Sequence, residues 1–162
     1  MGLLKGIDPI LTADLLHVLR SMGHGDKLAI VDCNFPAVST AQSTTTKKVV
    51  TLTTPSLPDV VSAVLSVLPL DYFVDKPVSY MNPSEGVEMP PEGFEARQQT
   101  TEVVLDTAGI NAVDRFAAVE RFKFYEEAKT CFAIVQTLER RPYANIILQK
   151  GVIGPDGNDL KP

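Results

Sequence analysis

Lys27-Leu28-Ala29-Ile30-Val31-Asp32 is the stretch on which the fold turns. Leu28 to Val31 are apolar without interruption. A strand with one wet face alternates polar and apolar side chains, so this run reads as a strand covered on both faces. Residues 12–22, just upstream, read as a helix with Thr12 as N-cap and Asp14 in the first turn. Leu11, Leu15, Val18, Leu19 and Met22 form its apolar stripe, His17 lies off that stripe, and Gly23 reads as the stop. A helix, a glycine turn and a doubly covered strand imply an α/β layer architecture. Asp32 closes the strand, where open α/β sheets gather ligand groups.

Further along, residues 39–46 read as a polar connection and 49–52 as a strand. Ser56 and Pro58 open a second helix whose buried stripe is Leu57, Val60, Val61, Val64, Leu65 and Leu68. Residues 72–81 read as extended, and 82–93, rich in Pro, Gly and Glu, as a surface loop. A helix over 94–107 ends near Gly109. A strand over 117–121, a helix over 124–130, and strands over 132–135 and 146–148 complete the chain. The tail GPDGNDLKP reads as a frayed end.

At 162 residues and 44% hydrophobic composition, residues 1–162 read as a single domain with a core of its own. The net charge of −5 and the pI near 5.0 offer no footprint for nucleic acid. Only Lys47-Lys48 and Arg140-Arg141 place basic residues side by side. Cys33 and Cys131 form no CxxC pair, and MGLLKGIDPILT has too short an apolar run for a leader or a span. The expectation is a reduced, cytoplasmic protein with no membrane partner. His17 and His24 stand outside any Cys/His grouping, so no metal site is expected.

Three clusters could carry chemistry: MGHGDK around His24, Asp32, and the pair ERFKFYEEA and RPYANIIL. Gly23 and Gly25 let the backbone bend closely around His24, which either projects into a pocket or is a plain turn residue. Asp32 either binds a ligand or caps a turn. Arg121 has Glu120, Glu126 and Glu127 as surface partners to choose from, and Tyr125 reads as core packing. Tyr143 and Asn145 either bind a ligand or simply turn the chain. Phosphate-loop, dinucleotide, serine-hydrolase and catalytic-cysteine signatures are absent.

Taken together, LKGIDPILTADLLHVLRSMGHGD (4–26), IVDCNFPA (30–37), VERFKFYEEA (119–128) and RRPYANIILQKGV (140–152) resemble the fucose mutarotase and ribose pyranase (FucU/RbsD) family. The middle, 42–118, matches poorly, and ERFKFYE is closer to the fucose branch. The resemblance implies a three-layer α/β/α fold with a central mixed sheet. It also implies ring-forming homo-oligomers, often decamers, with sites between neighbouring subunits. The implied activity is an isomerase's exchange of α and β sugar anomers, without metal or organic cofactor. His24 then matches the proton-donating His, while Asp32, Arg121, Tyr143 and Asn145 match substrate-binding positions.

The chemistry suits these residue types. Anomer exchange opens the hemiacetal, rotates about C1–C2 and closes on the other face. Opening delivers a proton to the ring oxygen and removes one from the anomeric hydroxyl. An imidazole, with an ordinary pKa of about 6.5, can do either near neutral pH. The second proton-transfer group is left open among Tyr143, Asp32 and a bound water. One departure stands out: fucose-branch sequences carry His in the DxHFPA stretch where this chain has Asn34. Asn34 hydrogen-bonds but does not relay protons, which keeps a second expectation alive: a non-catalytic monosaccharide-binding or transport-accessory protein on the same scaffold.

Overall fold

A computed structural model describes residues 2–109 and 113–162. Its centre is a six-stranded mixed sheet in the order β2-β5-β1-β6-β3-β4. The strands are β1 (Lys27–Val31), β2 (Val49–Thr51), β3 (Val78–Asn82), β4 (Phe116–Glu120), β5 (Ala133–Gln136) and β6 (Ile146–Gln149). β1 runs parallel to β5 and antiparallel to β6, with Leu28 opposite both Ala133 and Leu148. β6 is also antiparallel to β3, so it alone reverses the direction of the sheet's middle.

Alternate residues of β1 feed two cores. Leu28 and Ile30 point to a layer formed by α1 (Ala13–Ser21), α3 (Leu57–Leu65) and α4 (Pro91–Ala108). Ala29 and Val31 point the other way, to Phe35, α2 (Ala37–Ala41) and α5 (Arg121–Lys129). Both faces are therefore covered, as the unbroken apolar run requires, and the architecture is three layers, α/β/α. Phe124, fully buried, anchors α5 on its face, and truncating such an aromatic costs about 3–5 kcal/mol.

Most helix limits follow their caps. The Thr12 hydroxyl accepts from the Leu15 N–H, the Ser56 hydroxyl from the Asp59 N–H, and Gly109 closes α4 with φ of 61°. Four details differ from expectation. α1 ends on an extended Met22 rather than a glycine cap, because Gly23 belongs to the next turn. A short helix, α2, runs into the start of the polar stretch, and its buried Ala37, Thr40 and Ala41 give too weak an apolar signal to be seen. α4 and α5 start earlier, at Pro91 and Arg121, so strand β4 stops at Glu120. The extended region is confined to β3, since Pro77 keeps the preceding residues off the ladder.

The tail is ordered, not frayed. Gly154 N–H donates to the Asn158 carbonyl and Leu160 N–H to the Val152 carbonyl, at 2.7 and 2.8 Å. Gly157, with φ of 82°, makes that turn. Among the described residues no helix is long and apolar enough to cross a membrane.

Candidate functional site

β1, β4 and β6 bring one set of polar side chains to the same end of the sheet. Asp32 leaves β1, Arg121 opens α5 directly after β4, and Tyr143 and Asn145 precede β6. Asp32, Asn34, Phe35, Met81, Arg121, Tyr125, Pro142, Tyr143 and Asn145 line a cleft of about 180 Å³. That is below the roughly 300–1,000 Å³ of complete small-molecule pockets, and the cleft is open on one side.

Asp32 and Asn145 form its rigid floor. The Asp32 N–H donates to Asn145 Oδ1 at 2.9 Å, and Asn145 Nδ2 donates to Asp32 Oδ2 at 2.8 Å. The other Asp32 oxygen accepts the Asn34 N–H at 2.9 Å. Burial raises the Asp32 carboxyl above the ordinary range, against the hydrogen bonds from Asn34, Asn145 and Phe35 that favour its charge; Glu139 adds to the rise. A buried carboxylate with lone pairs still free is a strong acceptor for a ligand hydroxyl.

Tyr143 reaches the cleft from a left-handed backbone, with φ of 60°. An aromatic residue there carries strain of order 1–3 kcal/mol, and such strain collects at binding sites. Its neighbour is fixed from the other side. A Cβ at Gly93, in the first turn of α4, would stand 2.5 Å from the Pro142 carbonyl oxygen, so only glycine lets helix and loop meet.

The three carboxylates that could have neutralised Arg121 are engaged elsewhere. Glu120 caps α5 by accepting from the Phe122 and Lys123 N–H groups and also accepts from the Ser84 hydroxyl. Glu126 pairs with Lys129 and Glu127 with Lys27. Arg121 stacks on the Phe122 ring at 4.5 Å, and its buried Nε has no hydrogen-bond partner. Its charge is felt by the neighbouring Glu120 carboxyl, but among the described residues no ion pair ties the guanidinium down, which leaves it able to serve the cleft.

Tyr125, read from sequence as core packing, does pack against the second core and also lines the cleft. It packs edge-on against Phe35 and Phe122, and burial raises its phenol above the ordinary value. Its four-residue spacing from Arg121 on one helix was the available signal. Met81 was not foreseen either, and nothing in its local sequence marked it.

His24 does not join this cleft within its own chain. Gly23 to Asp26 form a tight turn, the Asp26 N–H donating to the Gly23 carbonyl at 3.2 Å, with Gly25 at φ of 86°. A positive φ at the third position is what a type II turn needs, which explains the second glycine. Gly25 N–H donates to the Lys150 carbonyl, so His24 sits beyond the start of β1 and the end of β6, whereas Asp32 and Asn145 sit at their other ends. The five residues of β1, at about 3.3 Å each, put on the order of 16 Å between them. His24 Nε2 lies 3.1 Å from Asp71 Oδ2, and its side chain is 53% exposed. His17, as expected, is exposed. Among the described residues no three His, Cys, Asp or Glu side chains are placed to hold a metal ion.

The chain has relatives among known proteins. The chain is 39% identical to the human fucose mutarotase over 94% of its own length and 96% of that protein's. The L-fucose mutarotase of Histophilus somni is 34% identical, with 93% and 97% covered. The solved structure of the fucose mutarotase of Streptococcus pneumoniae in complex with L-fucose superposes with a TM-score of 0.79 at 33% identity, covering 93% of this chain and 100% of that one. The model of the RbsD / FucU transport protein family matches residues 5–153, and the chain belongs to that family.

Proposed function

We propose that this protein is an aldose mutarotase, an isomerase that exchanges the α and β anomers of L-fucose or a closely related sugar. The observation that carries the reading is the cleft itself. Asp32 accepts, Arg121 donates, and Tyr143 and Tyr125 do both, which is the mixture a ring of hydroxyls requires, while Asn145, its amide engaged by Asp32 and Met81, serves the sugar by holding Asp32 in place. Family membership and the fucose mutarotases among its relatives give the cleft its chemistry.

The acid/base is His24 from a neighbouring subunit. The incomplete cleft and the distance of His24 along its own chain support a site closed by a second copy, in a ring-forming homo-oligomer such as a decamer. As neutral imidazole, His24 takes the proton from the anomeric hydroxyl. The O–H electrons become the aldehyde C=O, the C1–O5 pair moves to O5, and O5 takes a proton from the second group, Tyr143, Asp32 or a bound water. Closure on the opposite face reverses these steps, so no atom or electron is gained or lost. General acid–base catalysis of this kind contributes roughly 10²–10⁴-fold. The residues 1–162 act as one domain. Cys33 and Cys131, both free thiols, support a reducing, cytoplasmic location.

NMR saturation transfer between the α and β anomers tests the reading. Added protein is expected to accelerate exchange of L-fucose, and His24→Ala is expected to abolish the acceleration. No acceleration with any aldose, or full acceleration by His24→Ala, would overturn it.

A further inference from the structure

Asp71 does not enter the cleft, and nothing in its local sequence, PLDYF, sets it apart. The structure buries its carboxyl almost completely, at 1% exposure. Three donors converge there. The Phe73 N–H reaches Oδ1 at 3.0 Å, while Gln149 Nε2 and His24 Nε2 reach Oδ2 at 3.0 and 3.1 Å. The Asp71 N–H in turn donates to the Gln149 carbonyl at 3.0 Å. Gly151 tightens the seat, because any Cβ there would collide with the Leu70 carbonyl and the Asp71 Cα. Asp71 is held on both sides, and the half-exposed imidazole rests on it.

Among the described residues Asp71 is the one carboxylate within 4.0 Å of a His24 ring nitrogen. Asp26 accepts the Gly23 N–H at 2.7 Å. Lys150 donates to the Leu19 and Met22 carbonyls at 3.1 and 2.6 Å. An ionised carboxylate only accepts, so the ring nitrogen facing it must carry the hydrogen. Neutral His24 then has its lone pair on Nδ1, the atom turned away from Asp71.

We propose that Asp71 is the positioning residue for His24. It fixes the ring and its tautomer so that Nδ1 is the atom that exchanges the proton with the sugar. This rests on the mutarotase reading above, since Asp71 acts only through His24. A hydrogen-bonded carboxylate that orients a catalytic imidazole is a recurring device, and its loss leaves the ring free to turn or to hold the wrong tautomer.

The test pairs kinetics with the state of the ring. In wild-type protein labelled with 15N-histidine, neutral His24 is expected to show a single tautomer protonated on Nε2. Asp71→Asn is expected to give a mixture of tautomers. It should slow anomer exchange by about tenfold or more while sugar affinity by calorimetry stays within about twofold. A wild-type ring protonated on Nδ1, or Asp71→Asn at the wild-type rate, overturns the proposal. So does a loss of rate matched by an equal loss of sugar affinity. If Asp71→Asn fails to fold, the wild-type ring signature decides alone. His24→Ala separates the two ideas. Full exchange by that variant removes the mutarotase role of His24 and Asp71 together, whereas an inactive His24→Ala beside a fully active Asp71→Asn removes Asp71 only.

Discussion

Tyr143 combines a strained backbone with a phenol that faces the cleft, so its ring and its hydroxyl can be separated experimentally. Tyr143→Phe keeps the ring, and with it the packing against the second core. Its melting temperature is expected to stay within about 2 °C of wild type, while sugar affinity falls by about tenfold, the effect of one lost hydrogen bond. Calorimetry and thermal unfolding read the two effects separately. At this scale the sequence was legible for residue types and not for their partnerships. Asp32 and Asn145 were both visible as candidates. Their reciprocal bond across 113 positions was not, because no local pattern encodes a contact between strand ends. Arg121 shows the same limit from the other side, since only the structure reveals that Glu120, Glu126 and Glu127 are taken.

Helices and strands were legible where they carry caps or long apolar runs, as α1, α3 and β1 do, and hidden where they do not, as in α2. One cap lay wholly outside sequence reach. Glu139, buried just after β5, accepts the Leu57 N–H at the start of α3 at 3.1 Å and receives Arg141 through Nε and Nη2 at 3.0 and 2.7 Å. Burial alone would raise its carboxyl, but hydrogen bonds from Arg141 and Leu57 outweigh it and hold it below the ordinary value of 4.5. The folded chain therefore binds this proton less readily than the unfolded chain. Glu139 contributes stability above about pH 4.5 that is lost as the pH falls through its depressed folded value. Asp32 works in the opposite sense, since its raised carboxyl makes the folded chain relatively more stable on acidification. Replacing Glu139 by Gln is expected to lower stability by about 2 kcal/mol near neutrality and to flatten the loss of stability below about pH 4.5. Denaturant unfolding at a series of pH values checks both, and an unchanged acid slope would refute the assignment.

Across the whole molecule, the α/β layering followed from local pattern and the three layers around a mixed sheet from the family resemblance, whereas the placement of His24 at the far end of the sheet from the cleft followed from neither. A string of residues does not say which of its candidates meet in one copy. If each site is built from two subunits, co-assembly of His24→Ala with Asp32→Asn subunits, each inactive alone, should restore about one quarter of the wild-type exchange rate at equal proportions. One interface in four then pairs an intact histidine with an intact cleft. Saturation transfer on the refolded mixture measures this, and the absence of recovery would place the site within one chain. The length of β1 has a last consequence. Five residues of strand act as a spacer that keeps His24 and the Asp32 cleft of one copy out of each other's reach. If the proposed two-subunit site holds, an isolated subunit would hold sugar without turning it over, the catalyst would exist only as an assembly, and turnover per chain would follow the law of mass action as copies gather or disperse.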